Sequence, residues 1–214
     1  MKNAEQFINQ EVTETDRAFF PNAFKAAYAA VTDLVSQTPF LKCPPASLAR
    51  GHLKAWAIDF AISQLIEAGK WKVEGYDWAW YNRKTGKYLR VFTKEAVITV
   101  NQIADKCKQP RSAEFRANGA YDPQETLFLL PNEKNFASIK RPLLLLIHGY
   151  HDLSFIHLAM PNPEKIPAWF GMSKNILTEV QDVSSGLAPA EGPSTVQIPT
   201  IKEQLRKKIK DHGF

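Results

Sequence analysis

The fold turns on one stretch: Gly75-Tyr76-Asp77-Trp78-Ala79-Trp80-Tyr81-Asn82-Arg83-Lys84-Thr85-Gly86-Lys87-Tyr88-Leu89-Arg90-Val91-Phe92. Tyr76, Trp78 and Trp80 recur at every second position, the period of a strand with one buried face. Asn82 to Gly86 is turn chemistry, with Gly86 free to take a positive φ, and Lys87 to Phe92 reads as the returning partner. The spacing predicts a β-hairpin. Upstream of Lys70 the period is helical instead.

Phe20, Phe24, Ala27, Val31, Leu34 and Val35 fall three and four residues apart. This predicts a helix over 15–36 with one apolar stripe, capped by Thr15 or Asp16 and stopped ahead of Pro39. After the stiff Pro44-Pro45 pair a second helix is expected over 46–68. Ser47 is its cap, Leu53, Trp56, Ala57, Phe60 and Leu65 its buried face, and Gly69 suits the left-handed position past its end. His52 and Asp59 are rim residues of that helix without assigned chemistry. Residues 1–14 are polar and expected to be frayed.

Downstream of the hairpin, 93–108 reads two ways: extended at Val97-Ile98-Thr99-Val100, helical from Gln102 to Cys107. Strands are expected at Glu125–Leu130, Leu143–His148 and Ser154–Met160. The short link Gly149-Tyr150-His151-Asp152-Leu153 makes the last two antiparallel, since a parallel crossover needs a dozen residues or more. Asp182 to Thr200 has the Ser/Gly/Pro/Ala character of a flexible linker, and Ile201, Leu205 and Ile209 give 201–214 the pattern of a short basic amphipathic helix. The expected architecture is α+β: an N-terminal helical pair packed on a mostly antiparallel sheet of about five strands. It forms one domain over 15–181, followed by the linker (182–200) and the tail helix (201–214).

The 214 residues are 44% hydrophobic and 23% charged, the composition of a globular chain with one sizeable core. Mean hydropathy is −0.30. The longest strongly apolar run, Leu143 to Ile147, is far shorter than the ~20 residues of a membrane helix, and no apolar signal segment follows Met1. The two cysteines, Cys43 and Cys107, support neither a disulfide framework nor a four-cysteine zinc site. A reducing, cytoplasmic setting without membrane association is expected.

The net charge of +5 is unevenly distributed. Residues 70–116 hold eleven Lys/Arg against five Asp/Glu and residues 201–214 five against two, while the remainder is slightly acidic. Such segregation suits a polyanionic partner, nucleic acid above all, and equally describes a solvated basic face. Rings and cations interleave along 71–94, the combination that holds single strands by stacking and phosphate neutralisation. The candidate contacts are Arg83, Lys84, Lys87, Arg90, Lys94, Lys106, Lys108, Arg111 and Arg116, with Trp78, Trp80 and Tyr81 as stacking platforms. Against stacking stands the alternative that Tyr76, Trp78 and Trp80 form the inner face of the sheet, packed on Trp56 and Phe60.

Three short resemblances point elsewhere. Val100 to Cys107, Lys108 to Pro110 and Arg111 to Arg116 resemble a helix-turn-helix, departing from it at Lys108, Gln109 and Glu114; a strand, short helix and basic loop is the alternative. Pro142 to Gly149 is similar to the strand before the oxyanion loop of α/β-hydrolases, but no G-x-S-x-G elbow follows, which excludes that family. Glu67 and Asp77 look similar to the opening of the PD-(D/E)xK nuclease core, yet the second strand supplies Lys94 without the acid.

His148, His151 and His157, with Asp152, are candidate ligands for a divalent metal ion. If Gly149 pairs with Ser154, His148 shares a sheet face with His157; a slip of one residue separates them. The expectation is a non-enzymatic polyanion-binding protein without cofactor. A metal-dependent phosphodiesterase, and a protein-interaction module docking through 201–214, are the alternatives.

Overall fold

A computed structural model of the chain describes residues 3–80, 86–111 and 141–179, together with residue 203. The segments 81–85, 112–140, 180–202 and 204–214 lie outside the described residues. With them lie the expected strand at Glu125–Leu130, the linker and almost all of the tail helix.

The first residues are helical, which corrects the expectation of a frayed start. Asn3 Oδ1 accepts the Glu5 N–H at 3.2 Å, and Gln6 Oε1 accepts the Asn3 N–H at 3.3 Å. This capping box starts α1 (Ala4–Glu11). Ile8 and Val12 anchor α1, both fully buried. The helix lies so close to the last strand that a Cβ on Gly171 would stand 2.7 Å from Ala4 Cβ.

The expected helix over 15–36 is divided. Thr13, not Thr15, caps a short α2 (Glu14–Arg17), and Asp16 completes the box by accepting the Thr13 N–H at 3.1 Å. The chain restarts as α3 (Phe20–Gln37) with Pro21 in its first turn, where a missing N–H is harmless. Two 3-10 turns, Pro39–Lys42 and Pro44–Leu48, then lead into α4 (Ala49–Glu67). Ser47 is absorbed in the second turn and caps nothing. Gly69 takes the left-handed conformation, φ +66°.

The sheet has six strands in sequence order: β1 (Gly75–Trp80), β2 (Lys87–Phe92), β3 (Val97–Ile103), β4 (Leu143–Gly149), β5 (Ile156–Pro161) and β6 (Trp169–Met172). All neighbours are antiparallel except β3 and β4, which run parallel. The α+β class stands, with six strands in place of about five because β3 and β6 join the sheet. Val97 to Ile103 is one continuous strand, which removes the first helix of the helix-turn-helix. Its β-branched run suits a place between two other strands.

Paired residues share a face. Val91, Ile98 and Leu144 form one such row, and Leu146 with Leu158 another. They meet Phe24 and Ala27 of α3 and Ile58 and Ile62 of α4 in the main core. Tyr76 and Trp78 pack against that core, as the inner-face alternative required, whereas Trp80 remains 54% exposed. The opposite face carries Asp77, Arg90, Thr99, Leu145 and Ala159, with a second cluster around Leu145, Ile147 and Phe155. Among the described residues no helix is long and apolar enough to cross a membrane.

Candidate nucleic-acid interface

At one end of the sheet two halves part. The β2–β3 ladder covers only Arg90↔Thr99 to Phe92↔Val97. By contrast β1–β2 pairing continues to Trp80↔Lys87, and β3–β4 pairing to Ile103↔Gly149. Beyond Arg90 and Thr99 the hairpin and the parallel pair are therefore separate arms of a fork. Ligand sites of open sheets with parallel strands favour this place, outside the carboxyl ends of the strands.

On the hairpin arm the last described residue of β1 is Trp80, with Lys87 Nζ 4.8 Å from the centre of its ring system. The other arm ends in Tyr150, 40% exposed and edge-on to His151 at 4.9 Å. Gln102 Nε2 donates to the Tyr150 carbonyl at 3.0 Å, fixing the backbone that carries this ring. The start of α4 overhangs the same arm. Lys54 Nζ donates to the His151 carbonyl at 2.6 Å and lies 4.7 Å from the centre of the Tyr28 ring. A Cβ on Gly51 would touch Tyr150, 3.4 Å from its Oη. Burial lowers the Lys54 pKa; Asp152 opposes that shift, and Arg50 adds to it. The link itself depends on Gly149, where a Cβ would stand 2.1 Å from the Asp152 carbonyl oxygen.

Beneath the second arm lies a neutral polar pin. His148 is fully buried, its Nδ1 2.8 Å from Tyr28 Oη, and that oxygen is 2.5 Å from the Gly149 carbonyl. A phenol has one proton, and the carbonyl can only accept it. His148 therefore donates its Nδ1–H to Tyr28 Oη, and Nε2 is left as a buried acceptor without a partner. Burial pushes the His148 pKa down to about 3 and that of Tyr28 up to about 12. Both are uncharged at neutral pH and tie α3 to the end of β4.

The cations expected to form one patch are dispersed. Lys87 is on the fork. Arg90 points to the opposite face and makes a two-pronged pair with Asp77 at 2.8 and 2.5 Å, which raises its pKa and occupies its guanidinium. Lys94 sits in the β2–β3 turn at the far end, seven residues from Lys87, or ~23 Å of strand. Lys106, Lys108 and Arg111 are exposed, but their segment is drawn across toward β6. Trp169 Nε1 donates to the Lys106 carbonyl at 2.8 Å, and Gln109 Nε2 donates to the carbonyls of Asn162 (2.7 Å) and Ala168 (2.5 Å). Proximity in sequence to the end of β3 did not specify the direction of this reversal. Tyr81, Arg83, Lys84 and Arg116 lie outside the described residues.

The histidines are not brought together either. His148 pairs with Ile156 and Ile147 with His157, one residue away from the register that would have joined them. His148 consequently faces the helices and His157 the opposite side. His157 is also buried, donates Nδ1–H to the Ser173 carbonyl at 2.8 Å, and has its pKa lowered by that burial. His151 and Asp152 are exposed in the link. Among the described residues no group of three or more His, Cys, Asp or Glu could hold a metal ion. Glu67 and Asp77 are likewise divided: Tyr76, on the helix face, donates its hydroxyl to Glu67, whereas Asp77 is on the other face with Arg90.

Sequence reading missed Tyr28, Gly51, Lys54, Gln102 and Tyr150, which come from four separate elements. Gly51, a glycine inside a helix where it is unfavourable, was the one visible signal. Compared with known proteins, the chain matches no family model, no curated protein and no solved structure at a significant level.

Proposed function

We propose that this chain is a cytoplasmic nucleic-acid-binding protein whose contact surface is the fork end of the sheet. One observation carries the reading: both arms carry an exposed ring accompanied by cations, Trp80 with Lys87 and Tyr150 with Lys54 and Arg50. Cations neutralise phosphates and release their counterions, which supplies affinity independent of sequence. The ionisable side chains buried under the rim, His148 and Tyr28, are held neutral and serve as its support.

The test is fluorescence anisotropy of labelled DNA and RNA between 50 and 200 mM salt. Three phosphate contacts by Arg50, Lys54 and Lys87 give a slope near −2 on a single strand, a loss of about 20-fold over that range. The triple variant Arg50→Gln, Lys54→Gln, Lys87→Gln is expected to lose both affinity and slope. Unchanged binding by that variant, or binding indifferent to salt, refutes the proposal.

A further inference from the structure

The nucleic acid this surface takes is, we infer, single-stranded, held by stacking of unpaired bases on Trp80 and Tyr150, one on each arm of the fork. The inference rests on the nucleic-acid reading above and adds to it the state of the bases. Trp80 is exposed where the aromatics that alternate with it on β1, Tyr76 and Trp78, are committed to the core. Each of the two rings has a neighbour that holds it: Lys87 Nζ lies over one face of the Trp80 ring, and the Tyr150 and His151 rings meet with their planes nearly perpendicular. Gln102 fixes the Tyr150 backbone, and Gly51 brings α4 close against the Tyr150 ring, a Cβ there standing 3.4 Å from its Oη.

Their placement also separates the two contacts. Trp80 ends β1 and Tyr150 follows β4, three strand spacings apart or ~14 Å before the arms diverge. A duplex has its bases stacked on one another and offers ring faces only at its ends. An unpaired strand can present one base to each ring while its phosphates pass Arg50, Lys54 and Lys87. Stacking requires only a π-face, so the site is indifferent to base identity.

Anisotropy on the full chain at 50 mM salt tests this, with a labelled 12-residue oligothymidylate, a 12-base-pair duplex, and poly-L-glutamate as competitor. The single strand is expected to bind at least tenfold more tightly than the duplex. Trp80→Ala and Tyr150→Ala are each expected to weaken it about tenfold without changing the salt slope, with Trp80→Phe restoring most of the loss. Gly51→Leu should reproduce the Tyr150→Ala defect, and circular dichroism confirms that each variant is folded. Equal binding of duplex and single strand, or ring variants with full affinity, overturns the stacking inference and leaves the nucleic-acid proposal standing. Absence of binding to either nucleic acid, or equal competition by poly-L-glutamate, overturns both.

Discussion

Acid should unfold this protein through His148, and the size of the effect follows from its burial. In the unfolded chain the imidazole titrates near 6.5, whereas in the fold it stays neutral down to about 3. Between those values the unfolded state binds the extra proton, so stability falls as pH falls. Its full value is present above pH 6.5, and the loss continues until the folded form titrates near 3. From pH 6.5 to 4.5 the difference is two pH units, or ~2.7 kcal/mol at 1.36 kcal/mol per unit. That is a large share of the ~5–15 kcal/mol that stabilises a typical domain. The assay is urea unfolding followed by tryptophan fluorescence at pH 7 and pH 4.5, for the wild type and His148→Leu. Leucine removes the proton site while Tyr28 keeps its bond to the Gly149 carbonyl. At pH 7 the variant should be less stable by about 1 kcal/mol for the lost hydrogen bond. At pH 4.5 that deficit should vanish or reverse, because the wild type alone suffers the additional ~2.7 kcal/mol. Every other ionisable group is common to the two proteins and cancels in the comparison. An equal loss of stability in the two proteins between these pH values refutes the reasoning.

Other outcomes follow from single contacts. Gly149→Ala forces a Cβ to within 2.1 Å of a backbone carbonyl, and is expected to destabilise by more than ~3 kcal/mol, read as a fall in Tm. Arg141→Ala removes a buried guanidinium that donates to the Thr93 carbonyl and pairs with Glu74 at 2.8 Å; a loss of roughly 2–3 kcal/mol in urea unfolding is expected. Arg90→Gln and Lys94→Ala should leave affinity for oligothymidylate within about twofold of wild type, since the first is paired with Asp77 and the second lies at the far end. A tenfold loss from either would return the binding surface to the sequence-predicted patch.

What the sequence determined by itself was local. The helices around Phe24 and Phe60, the hairpin returning at Lys87, the left-handed Gly69 and the antiparallel β4–β5 pair are all dictated by periodicity, turn chemistry or loop length within a few residues. Even so, α1 went unread, because its two buried anchors, Ile8 and Val12, are sparse in a polar stretch and gain meaning only against β6. The tertiary structure decided the rest. A one-residue choice of register put His148 and His157 on opposite faces, and a parallel partner carried the extended run at Val97–Val100 on to Ile103 in place of a helix. Long-range contacts drew Lys106 to Arg111 toward β6 and assembled Tyr28, Gly51, Lys54, Gln102 and Tyr150 at the fork. Local propensity acts over a few residues, whereas the face a side chain presents depends on partners far along the chain, and those are chosen by packing of the whole core.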